Sequence, residues 1–485
     1  MDEILAPCYE VSRRRFYAAM MTVNLAHVCM LDRCAIIPRA AASGIVGALL
    51  ARIATPPAAA YDPRHEDLFF QVESEITGEI GAEAAGHMHV AFSRNDLDAA
   101  MFRMALRDDL LDLAERLQAV RAQVAALAGA HLDTVMVAHT HNQQAQPTTL
   151  AHYLMAVESN LRRDTERLAG LYGRVNLSPM GAAALGTTSF PIDRPLVAGW
   201  LGFDGLVENA YDAVSAADHV LEAAATVAVM AAGLSRFVHD LMLWASNEFG
   251  VLQLDDSLVQ ISSIMPQKRN PVALEHLRAV LSRLLGRCAA VFPLAHNVPL
   301  GDINDVGDDL QPLVEEVFRE SKRALDLTLE VLRCVHFDTG LMAARARAGF
   351  SAATELADTL VREAGLPFRQ AHRVVARFVA GLREAGETLP TGSLAGLDAA
   401  ARVELGRPTG LTEEACRQAV DPQVFVARRT VVGGPAPVEV RRALAVAVAD
   451  VSAARQAEAG RRQKLAAARA DLLAVARALA QAGGT

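Results

Sequence analysis

The sequence predicts an all-α protein whose centre is a bundle of long helices. Apolar residues recur at alternating intervals of four and three residues, the pattern of an amphipathic helix with a bundle-type seam. The first such run consists of Leu106, Leu110, Leu113, Leu117, Val120, Val124 and Leu127. Residues 207–244 and 314–335 carry few helix breakers and none of the sustained alternation that predicts a half-buried strand.

The same apolar spacing recurs in two later segments, each of which follows a proline. The two runs are Leu150, Leu154, Val157 and Leu161, and then Leu274, Leu277, Leu281, Leu284 and Cys288. Because proline is favoured in the first turn of a helix, we expect these helices to begin at Pro147 and Pro271.

Composition along the chain predicts three helical domains. Residues 1–95 form a domain of shorter helices, because prolines at positions 38, 56, 57 and 63 interrupt them. Residues 96–345 form the central long-helix bundle, and residues 346–485, which contain clusters of Gly and Pro, form a C-terminal helical domain. A bundle of a few long helices leaves apolar stripes that another subunit can cover, so we expect a homo-oligomer.

The bulk composition argues against several classes of partner. The 485 residues include 56 acidic and 47 basic side chains, a formal charge of −9, so we expect neither nucleic acid nor an anionic membrane to bind. The scattered cysteines lack zinc-site spacing, which predicts no metal site and free thiols in a reducing cytoplasm. The acidic N-terminus does not resemble a signal peptide, and the apolar run at residues 223–234 is too short to span a bilayer.

The stretch ISSIMPQKRNPVALEH (residues 261–276) predicts a helix start that binds an anion. Asn270 fits the N-cap and Pro271 the first helical position. Lys268 is one of only three lysines in the chain, and with the two serines it adds an ammonium and hydroxyls to the positive end of the helix dipole. A capped helix alone is the simpler interpretation, but it explains neither the serines nor the choice of lysine.

Two other helix entrances carry side chains capable of acid–base chemistry or capping. AHTHNQQAQP, at residues 138–147, supplies two histidines and three glutamines, and His141 is a candidate general acid or base. A lone histidine is more often structural, but such an accumulation at one helix entrance is unusual. In FSRNDLD, Ser93 and Asp96 fit a capping box, and taken alone the motif would be only a cap with Arg94 in solvent.

A loop of small residues, SPMGAAALGTTSFPIDR at residues 178–194, ends in Arg194. Its glycines indicate close backbone approach or mobility. The G-x-x-x-x-G spacing lacks the Lys-Ser/Thr pair of a phosphate-binding loop, so we expect no nucleotide site there. The chain also lacks the G-x-S-x-G elbow of a serine hydrolase.

Several of these motifs together resemble a known family. ISSIMPQKRNP closely resembles the GSSxMPxKxNP signature of the fumarase/aspartase superfamily. SRND at residues 93–96, TH-x-Q-x-AQP at residues 140–147 and the loop ending in PIDR resemble the motifs of argininosuccinate lyases, as do HED from His65 and GLPFRQAH at residues 365–372. The resemblance follows nearly the whole chain in order.

The resemblance implies an all-α homotetramer in which the middle domains form a joint helical core and three subunits contribute to each active site. The implied reaction is a reversible β-elimination that releases fumarate and an amine from an N-substituted L-aspartate, with no cofactor. The implied catalytic residues are Ser262 as general base, His141 paired with Glu275, and Lys268 and Asn270 around the developing charge. The implied substrate-binding residues are Ser93, Arg94, Asn95, Thr140 and Gln311. Residue chemistry alone favours His141 as the base, because a hydroxyl is far weaker.

The chain also departs from the resemblance. Ile261 stands where the signature has glycine, which would stiffen a loop expected to close over substrate. Counted without gaps, the Ser and Asp that contact the rest of the substrate in argininosuccinate lyases fall on Tyr9 and Arg13. The corresponding Tyr and Lys fall on Val306 and Val314.

These departures predict a different leaving group. A buried polar group without its partner costs about 1–3 kcal/mol, so the site should discriminate against arginine. We therefore hypothesise a leaving amine that bears an acidic or apolar group. Two alternatives stay open: an ordinary argininosuccinate lyase of arginine biosynthesis, and a structural homologue without activity.

Overall fold

The computed structural model describes residues 2–55 and 61–482 and confirms the all-α class. The first part of the chain forms α1 (Asp2–Val11), α2 (Tyr17–Arg33), α3 (Arg39–Ala54), α4 (Leu68–Ile80) and α5 (Ala82–Ala85). A π-helical turn, Ser12–Phe16, joins α1 to α2. Pro38 precedes α3, where it breaks the helical path as predicted, whereas Pro56 and Pro57 lie outside the described residues.

Long helices fill the middle of the chain. They and the short helices between them are α6 (Arg94–Ala130), α7 (Leu150–Val175), α8 (Arg194–Trp200), α9 (Ala210–Ser215), α10 (Asp218–Trp244), α11 (Val272–Ala295) and α12 (Leu310–Arg333). The apolar seams identified in the sequence are buried in one shared core, in which α6 packs against α7 and α12, and α11 packs against α10 and α12. The four-and-three spacing thus predicted the bundle correctly.

Short strand pairs connect these helices. The strands are β1 (Val135–Thr140), β2 (Gln143–Thr149), β3 (Leu177–Ser178), β4 (Gly205–Leu206), β5 (Leu252–Leu254), β6 (Gln260–Ile261), β7 (Arg269–Asn270) and β8 (Val335–Phe337). β1 pairs with β2, β5 with β8 and β6 with β7, all antiparallel, and β3 pairs in parallel with β4.

Two of the predicted helix starts are wrong, for the same physical reason. Pro147 lies inside β2, and α7 begins only at Leu150, where the Thr149 hydroxyl accepts a hydrogen bond from the His152 amide at 3.1 Å. Asn270 lies in β7, so Pro271 is the residue that precedes α11 and no side chain caps this helix. In both places strand pairing holds the chain extended where local propensity favours a helix.

The remaining helices form the C-terminal part. They are α13 (Thr339–Arg347), α14 (Ala353–Ala364), α15 (Phe368–Glu384), α16 (Leu394–Leu405), α17 (Glu413–Ala419), α18 (Pro422–Ala427) and α19 (Pro437–Ala482). Helices α14 to α18 share a core of their own, whereas α19 returns along α6 and α3. Val440 joins the central core and Leu472 joins the core of the first helices. The domain boundaries at residues 95/96 and 345/346 stay predictions.

Helix α10 as a whole is more apolar than the run at residues 223–234, which is too short by itself to span a bilayer. Its 27 residues are long and apolar enough to cross a membrane by length and composition, and half of the most apolar window is buried inside the protein. The side chains that face inward, such as Val227, Leu234 and Leu241, pack in the central core beside α7, α11 and α12. The apolar composition of this helix is therefore accounted for, on its buried side, by helix packing.

A buried ion-pair network joins three of the longest helices. The Arg121 guanidinium on α6, which is fully buried, donates from Nε at 3.0 Å and from Nη2 at 2.6 Å to Glu158 Oε1 on α7. Nη2 also lies 2.6 Å from Asp450 Oδ2 on α19, and Nη1 donates to Gln118 Oε1 at 3.0 Å. The network therefore sets how these helices lie along one another.

We expect Arg121→Met to destabilise the protein by about 3–5 kcal/mol, because it leaves the buried Glu158 carboxylate without its cation. Arg162→Met is the control on α7: its side chain is 42% exposed and its ion pair is long, so the change should stay below about 0.5 kcal/mol. Urea unfolding at fixed protein concentration measures both. Replacing both partners, as Arg121→Met with Glu158→Leu, should recover most of the loss; an equally unstable double variant would contradict the assignment.

Candidate active site

The loop between β6 and β7 presents Ser262 with its hydroxyl oxygen directed at two backbone amides. The Ser262 Oγ accepts hydrogen bonds from the amides of Ile264 at 3.3 Å and Met265 at 3.0 Å. The Ser262 amide in turn donates to the Lys268 carbonyl at 3.3 Å, which closes the loop at its base. Amide donors aimed at an oxygen stabilise its anionic form, so this geometry favours a deprotonated hydroxyl.

The other candidates of this segment follow the loop into α11. Lys268 is exposed on the loop, and Asn270 is half-buried in β7. Glu275 is exposed in the first turn of α11, where its amide donates to the Pro271 carbonyl at 3.1 Å. The positive end of α11 therefore lies beside the loop that bears Ser262, even though Asn270 does not cap it.

The hairpin of β1 and β2 carries Thr140 and His141. His141 and Asn142 form its two-residue turn with φ of +52° and +56°, and Thr140 pairs with Gln143 across it. Both turn residues are in the left-handed region, as the favoured two-residue hairpin turn requires, at a cost of order 1–3 kcal/mol for non-glycine residues. His141 is thereby held exposed at the tip of the hairpin.

The N-terminus of α6 confirms the predicted capping box. The Ser93 Oγ accepts from the Asn95 amide at 3.3 Å, and Asp96 Oδ1 accepts from the Ser93 amide at 3.1 Å. Asp96 is fully buried, and its Oδ2 accepts from the amides of Gly181 at 3.0 Å and Ala183 at 2.9 Å. Burial raises the pKa of Asp96 to about 6, against the opposing effect of these hydrogen bonds.

The same helix start holds the small-residue loop. The Asn95 side-chain amide donates to the Ala184 carbonyl at 3.0 Å, and Arg194 Nε donates to the Met180 carbonyl at 2.8 Å. Gly181 has φ of +82°, and a Cβ there would lie 2.5 Å from Arg194 Cγ. Close approach of the backbone, one of the two roles predicted for these glycines, is therefore confirmed at Gly181.

Arg94 is paired with acidic side chains rather than simply solvated, and its role in binding substrate stays a prediction. Its Nη1 lies 2.7 Å from Asp67 Oδ2, and its Nε lies 3.4 Å from Asp98 Oδ2. Asp67 also caps α4 by accepting from the Phe70 amide at 3.1 Å. The HED and SRND motifs, which are far apart in sequence, therefore meet through one guanidinium.

A cavity of about 230 Å³ opens beside Arg94. Gln311, which is only 4% exposed, lines it and donates to the Val306 carbonyl at 3.2 Å. Besides Arg94, the charged residues among those described that line the cavity are Glu66, Asp67, Asp98, Asp302 and Asp308. Sequence reasoning missed these carboxylates as a group, although the acidic segment GDINDVGDD at residues 301–309 was a visible signal.

The four positions that differ from argininosuccinate lyases have different surroundings. Arg13 pairs with Glu10 at 2.7 Å, and its neighbour Ser12 lines the cavity in its place. Tyr9 is buried among the first helices, and Val314 is buried in the central core. Val306 lines a smaller adjoining cavity together with Gln311. Of the four, Val306 therefore fits the predicted position best.

The predicted site residues thus form separate groups within one chain. Arg94 and Asn95 line two adjoining cavities that share Gln311, and Ser93 precedes them as the N-cap of α6. Thr140 and His141 lie on the β1–β2 hairpin, and Ser262, Lys268, Asn270 and Glu275 lie on the β6–β7 loop and the start of α11. Each group contains exposed or half-buried side chains that are accessible to a ligand.

Comparison with known proteins identifies the family of the chain. A family model described as Lyase matches residues 26–286, and one described as Argininosuccinate lyase C-terminal matches residues 350–427. The chain is 38% identical over 446 residues to argininosuccinate lyase 2 of Agrobacterium fabrum, covering 92% of this chain and 88% of that one. It is also 38% identical over 437 residues to the argininosuccinate lyase of Methanosarcina mazei, covering 89% and 87%.

Solved structures of related lyases superpose on this chain. EDDS lyase in complex with formate superposes with a TM-score of 0.89 at 33% identity, covering 98% of this chain and 93% of that one. A fumarate lyase from Mesorhizobium sp. BNC1, at 20% identity and a TM-score of 0.72 over 91% of this chain and 98% of that one, shares the fold. The fold and these relatives define an enzyme, a carbon–nitrogen lyase of the fumarase/aspartase superfamily. Within that superfamily, the chain belongs to the argininosuccinate lyase family.

The raised pKa of Asp96 predicts how the small-residue loop responds to pH. Because the folded-state pKa of about 6 exceeds the 3.8 of an exposed aspartate, the closed loop binds a proton more tightly than an open one. The free energy of opening should therefore decrease as pH rises from about 4 to 6. The protection factor of the loop amides should decrease with it, by at most about ten-fold per pH unit. Hydrogen exchange at the Gly181 and Ala183 amides, corrected for intrinsic rates, measures this.

In Asp96→Asn the pH dependence should vanish, because the group that titrates is gone. Asp108→Asn is the control, since its carboxylate lies on the same helix but is 68% exposed. The same slope in Asp96→Asn as in the unmodified protein would assign the effect to another group.

Proposed function

We propose that the protein eliminates fumarate reversibly from an N-substituted L-aspartate, and that the amine released is not arginine. The observation that carries the proposal is the Ser262 hydroxyl, which accepts two backbone hydrogen bonds in a loop that also bears Lys268. Relatives named argininosuccinate lyase support this reaction class, as does a structural relative, a variant of EDDS lyase with bound fumarate, at 33% identity.

The chemistry explains why the base needs such surroundings. The proton to be removed lies on the carbon next to a carboxylate, and its loss creates a doubly charged aci-carboxylate. In the proposed mechanism Ser262 takes this proton as an alkoxide that the Ile264 and Met265 amides stabilise. Lys268, Asn270 and the positive end of α11 stabilise the charge that develops on the substrate.

The remaining roles follow from position and residue type. His141, paired with Glu275, protonates the departing nitrogen, while Ser93, Asn95 and Thr140 hold the aspartyl carboxylates. Arg94 also contributes, because a guanidinium has five N–H donors and its pairs with Asp67 and Asp98 leave some of them available. We propose that no cofactor and no metal ion take part.

The exposure of His141, Lys268 and Glu275 at the surface leaves these side chains accessible to another subunit. We propose a cytoplasmic homotetramer in which the hairpin, the α6 N-terminus and the β6–β7 loop of different subunits meet. Exposed apolar side chains support an interface near the loop: Ile261 is 73% exposed, Ile264 83% and Leu300 74%. Such side chains are typical of surfaces that another subunit covers.

Two alternatives to this function remain. An argininosuccinate lyase of arginine biosynthesis is favoured by the names of the relatives, and opposed by Val306, which lines the tail region where argininosuccinate lyases are expected to have a tyrosine. A structural homologue without activity is opposed by the retention of all five residues that the resemblance assigns to catalysis: Ser262, Lys268, Asn270, His141 and Glu275.

Ser262→Ala should lower kcat by about 10²–10⁴-fold, because a positioned general base contributes that much. Its fold should be unchanged, since a loop hydroxyl contributes little to stability. Fumarate release followed by ultraviolet absorbance, with circular dichroism as the folding check, measures both. Ser257→Ala, an exposed serine on the preceding turn, serves as the control. Substantial residual turnover in Ser262→Ala would place the base elsewhere, with His141 the next candidate.

The identity of the amine is tested by comparing argininosuccinate with a panel of other N-substituted aspartates. We expect kcat/KM for argininosuccinate to be at least about ten-fold below that of the best substrate, because the contacts for the arginine half are altered. Equal or higher values for argininosuccinate would favour the biosynthetic enzyme. No fumarate from any compound would favour the inactive homologue.

A further inference from the structure

A small cavity of about 30 Å³ lies beside the larger one, between α6, α9, the start of α10 and residues 301–307. Gln311 lines both cavities, and Asn95 lines the smaller one. Two nitrogen-bearing side chains of its wall, Arg103 on α6 and His219 on α10, have no part in the proposed reaction. They are 4% and 8% exposed. Because buried polar groups normally have partners, an unused donor in this wall indicates an occupant of the cavity.

The Arg103 guanidinium uses only one of its nitrogens within the described chain. Nη1 donates to the carbonyls of Arg174 at 3.0 Å and Val175 at 3.3 Å. Nε is buried without a hydrogen-bond partner among the described residues, and the guanidinium forms no ion pair with a described carboxylate. Nε and Nη2 form the edge through which a guanidinium binds an anion with two parallel N–H donors. That edge of Arg103 is therefore unused by the residues that the structure describes.

The positive charge of Arg103 is poorly compensated. Burial lowers the pKa of Arg103 to about 10, against the opposing effect of Asp218 and Asp212. Both aspartates are exposed, Asp218 with 90% of its side chain, so solvent and salt screen their attraction. The guanidinium still carries its charge at neutral pH, and a buried charge without a close partner is strongly destabilising. A water molecule satisfies the hydrogen bonds but not the charge, whereas an anion satisfies both.

The His219 imidazole supplies a second donor. Its Nδ1 is buried without a hydrogen-bond partner in the described parts of the chain, and it lies 3.9 Å from Asp218 Oδ1, which is too long for a hydrogen bond. Burial and then the charge of Arg103 lower the pKa of His219 to about 4, so the ring is neutral at neutral pH. A neutral imidazole has one N–H, which either ring nitrogen can carry. The ring is therefore able to donate a hydrogen bond to an anion beside Arg103.

Two carboxyl groups also line the small cavity, but away from this edge of Arg103. Asp98 and Asp302 do not shift the pKa of Arg103, whereas Asp302 raises the pKa of Asp98. The two carboxyl groups therefore lie closer to each other than to the guanidinium. Burial raises the pKa of Asp98 to about 7, so a large part of this carboxyl is protonated at neutral pH. An anion beside Arg103 and His219 is thus not repelled by two full charges.

We propose that the small cavity binds one monovalent inorganic anion, of the size of chloride, against the Nε–Nη2 edge of Arg103 and the N–H of His219. A single negative charge offsets the single charge of Arg103. One water molecule needs roughly 10–15 Å³, so a cavity of about 30 Å³ accommodates one such ion but not the four oxygens of phosphate or sulfate. Because Asn95 and Gln311 line the same cavity, the ion stabilises a wall of the proposed substrate site without taking part in its chemistry.

Bromide tests the site directly, because it replaces chloride and its anomalous X-ray scattering identifies it. In crystals of the full chain grown in sodium bromide, we expect an anomalous peak within hydrogen-bond reach of Arg103 Nε and the His219 ring. In solution, the chlorine NMR line of sodium chloride should broaden in the presence of the protein, and bromide should remove the broadening. Acetate should compete about ten-fold more weakly than bromide, because its methyl group overfills the cavity.

Two variants and a control assign the binding to this cavity. Arg103→Met should weaken chloride binding by at least about ten-fold, since a hydrogen bond to a charged group contributes that much. His219→Phe, which keeps a flat ring but no donor, should weaken it by about two- to ten-fold. Arg116→Met is the matched control: Arg116 lies on the same helix, pairs with Asp326 and does not line the cavity, so chloride binding should not change. Circular dichroism checks the folding of each variant.

Three results would overturn the anion site. Crystals without an anomalous bromide peak in the cavity would show that water fills it. Broadening that persists unchanged in folded Arg103→Met and His219→Phe would place the ion elsewhere. Acetate that displaces chloride as readily as bromide does would assign the cavity to a carboxylate, such as one carried by the substrate. None of these measurements requires turnover, so a failure of the proposed function leaves the anion site standing.

Discussion

The buried contact between Arg121 and Glu158 is the interaction on which the arrangement of the long helices depends. It joins α6 to α7 in a region without solvent, and Asp450 extends it to α19. A buried charge without its partner is costly, so these helices have little freedom to slide along one another. Hydrophobic seams alone would tolerate such sliding, because apolar contacts lack direction. The ion pair therefore provides the register, and the apolar seams provide most of the stability.

That register fixes the positions of the groups with candidate chemical roles. The α6 N-terminus carries Ser93, Arg94 and Asn95, and the hairpin with His141 leads directly into α7. Both groups are therefore attached to helices that Arg121 holds together. The β6–β7 loop with Ser262 is attached to α11, which packs against α10 and α12 in the same core. The candidate reactive side chains thus lie on helix ends, a hairpin and a loop that are anchored to rigid helices.

Local patterns in the sequence predicted the features that depend on neighbours along the chain. The apolar seams and the Ser93–Asp96 capping box are of this kind, because helix periodicity and capping act over a few residues. Features formed by distant segments were missed. Strand pairing displaced the helix starts expected at Pro147 and Pro271, and Arg94 found its partner Asp67 on another helix. No spacing rule encodes such contacts, and the site residues taken from the family signature stay predictions.

The composition of α10 has a consequence for how the chain is synthesised. Residues 218–244 leave the ribosome before α11 and α12, which cover much of this helix in the finished protein. Until the chain has been extended through residue 333, an apolar segment long enough to cross a bilayer is exposed on the nascent polypeptide. The order of translation thus leaves the side of α10 that packs on α11 and α12 uncovered at one stage of synthesis, when exposed apolar surface favours aggregation.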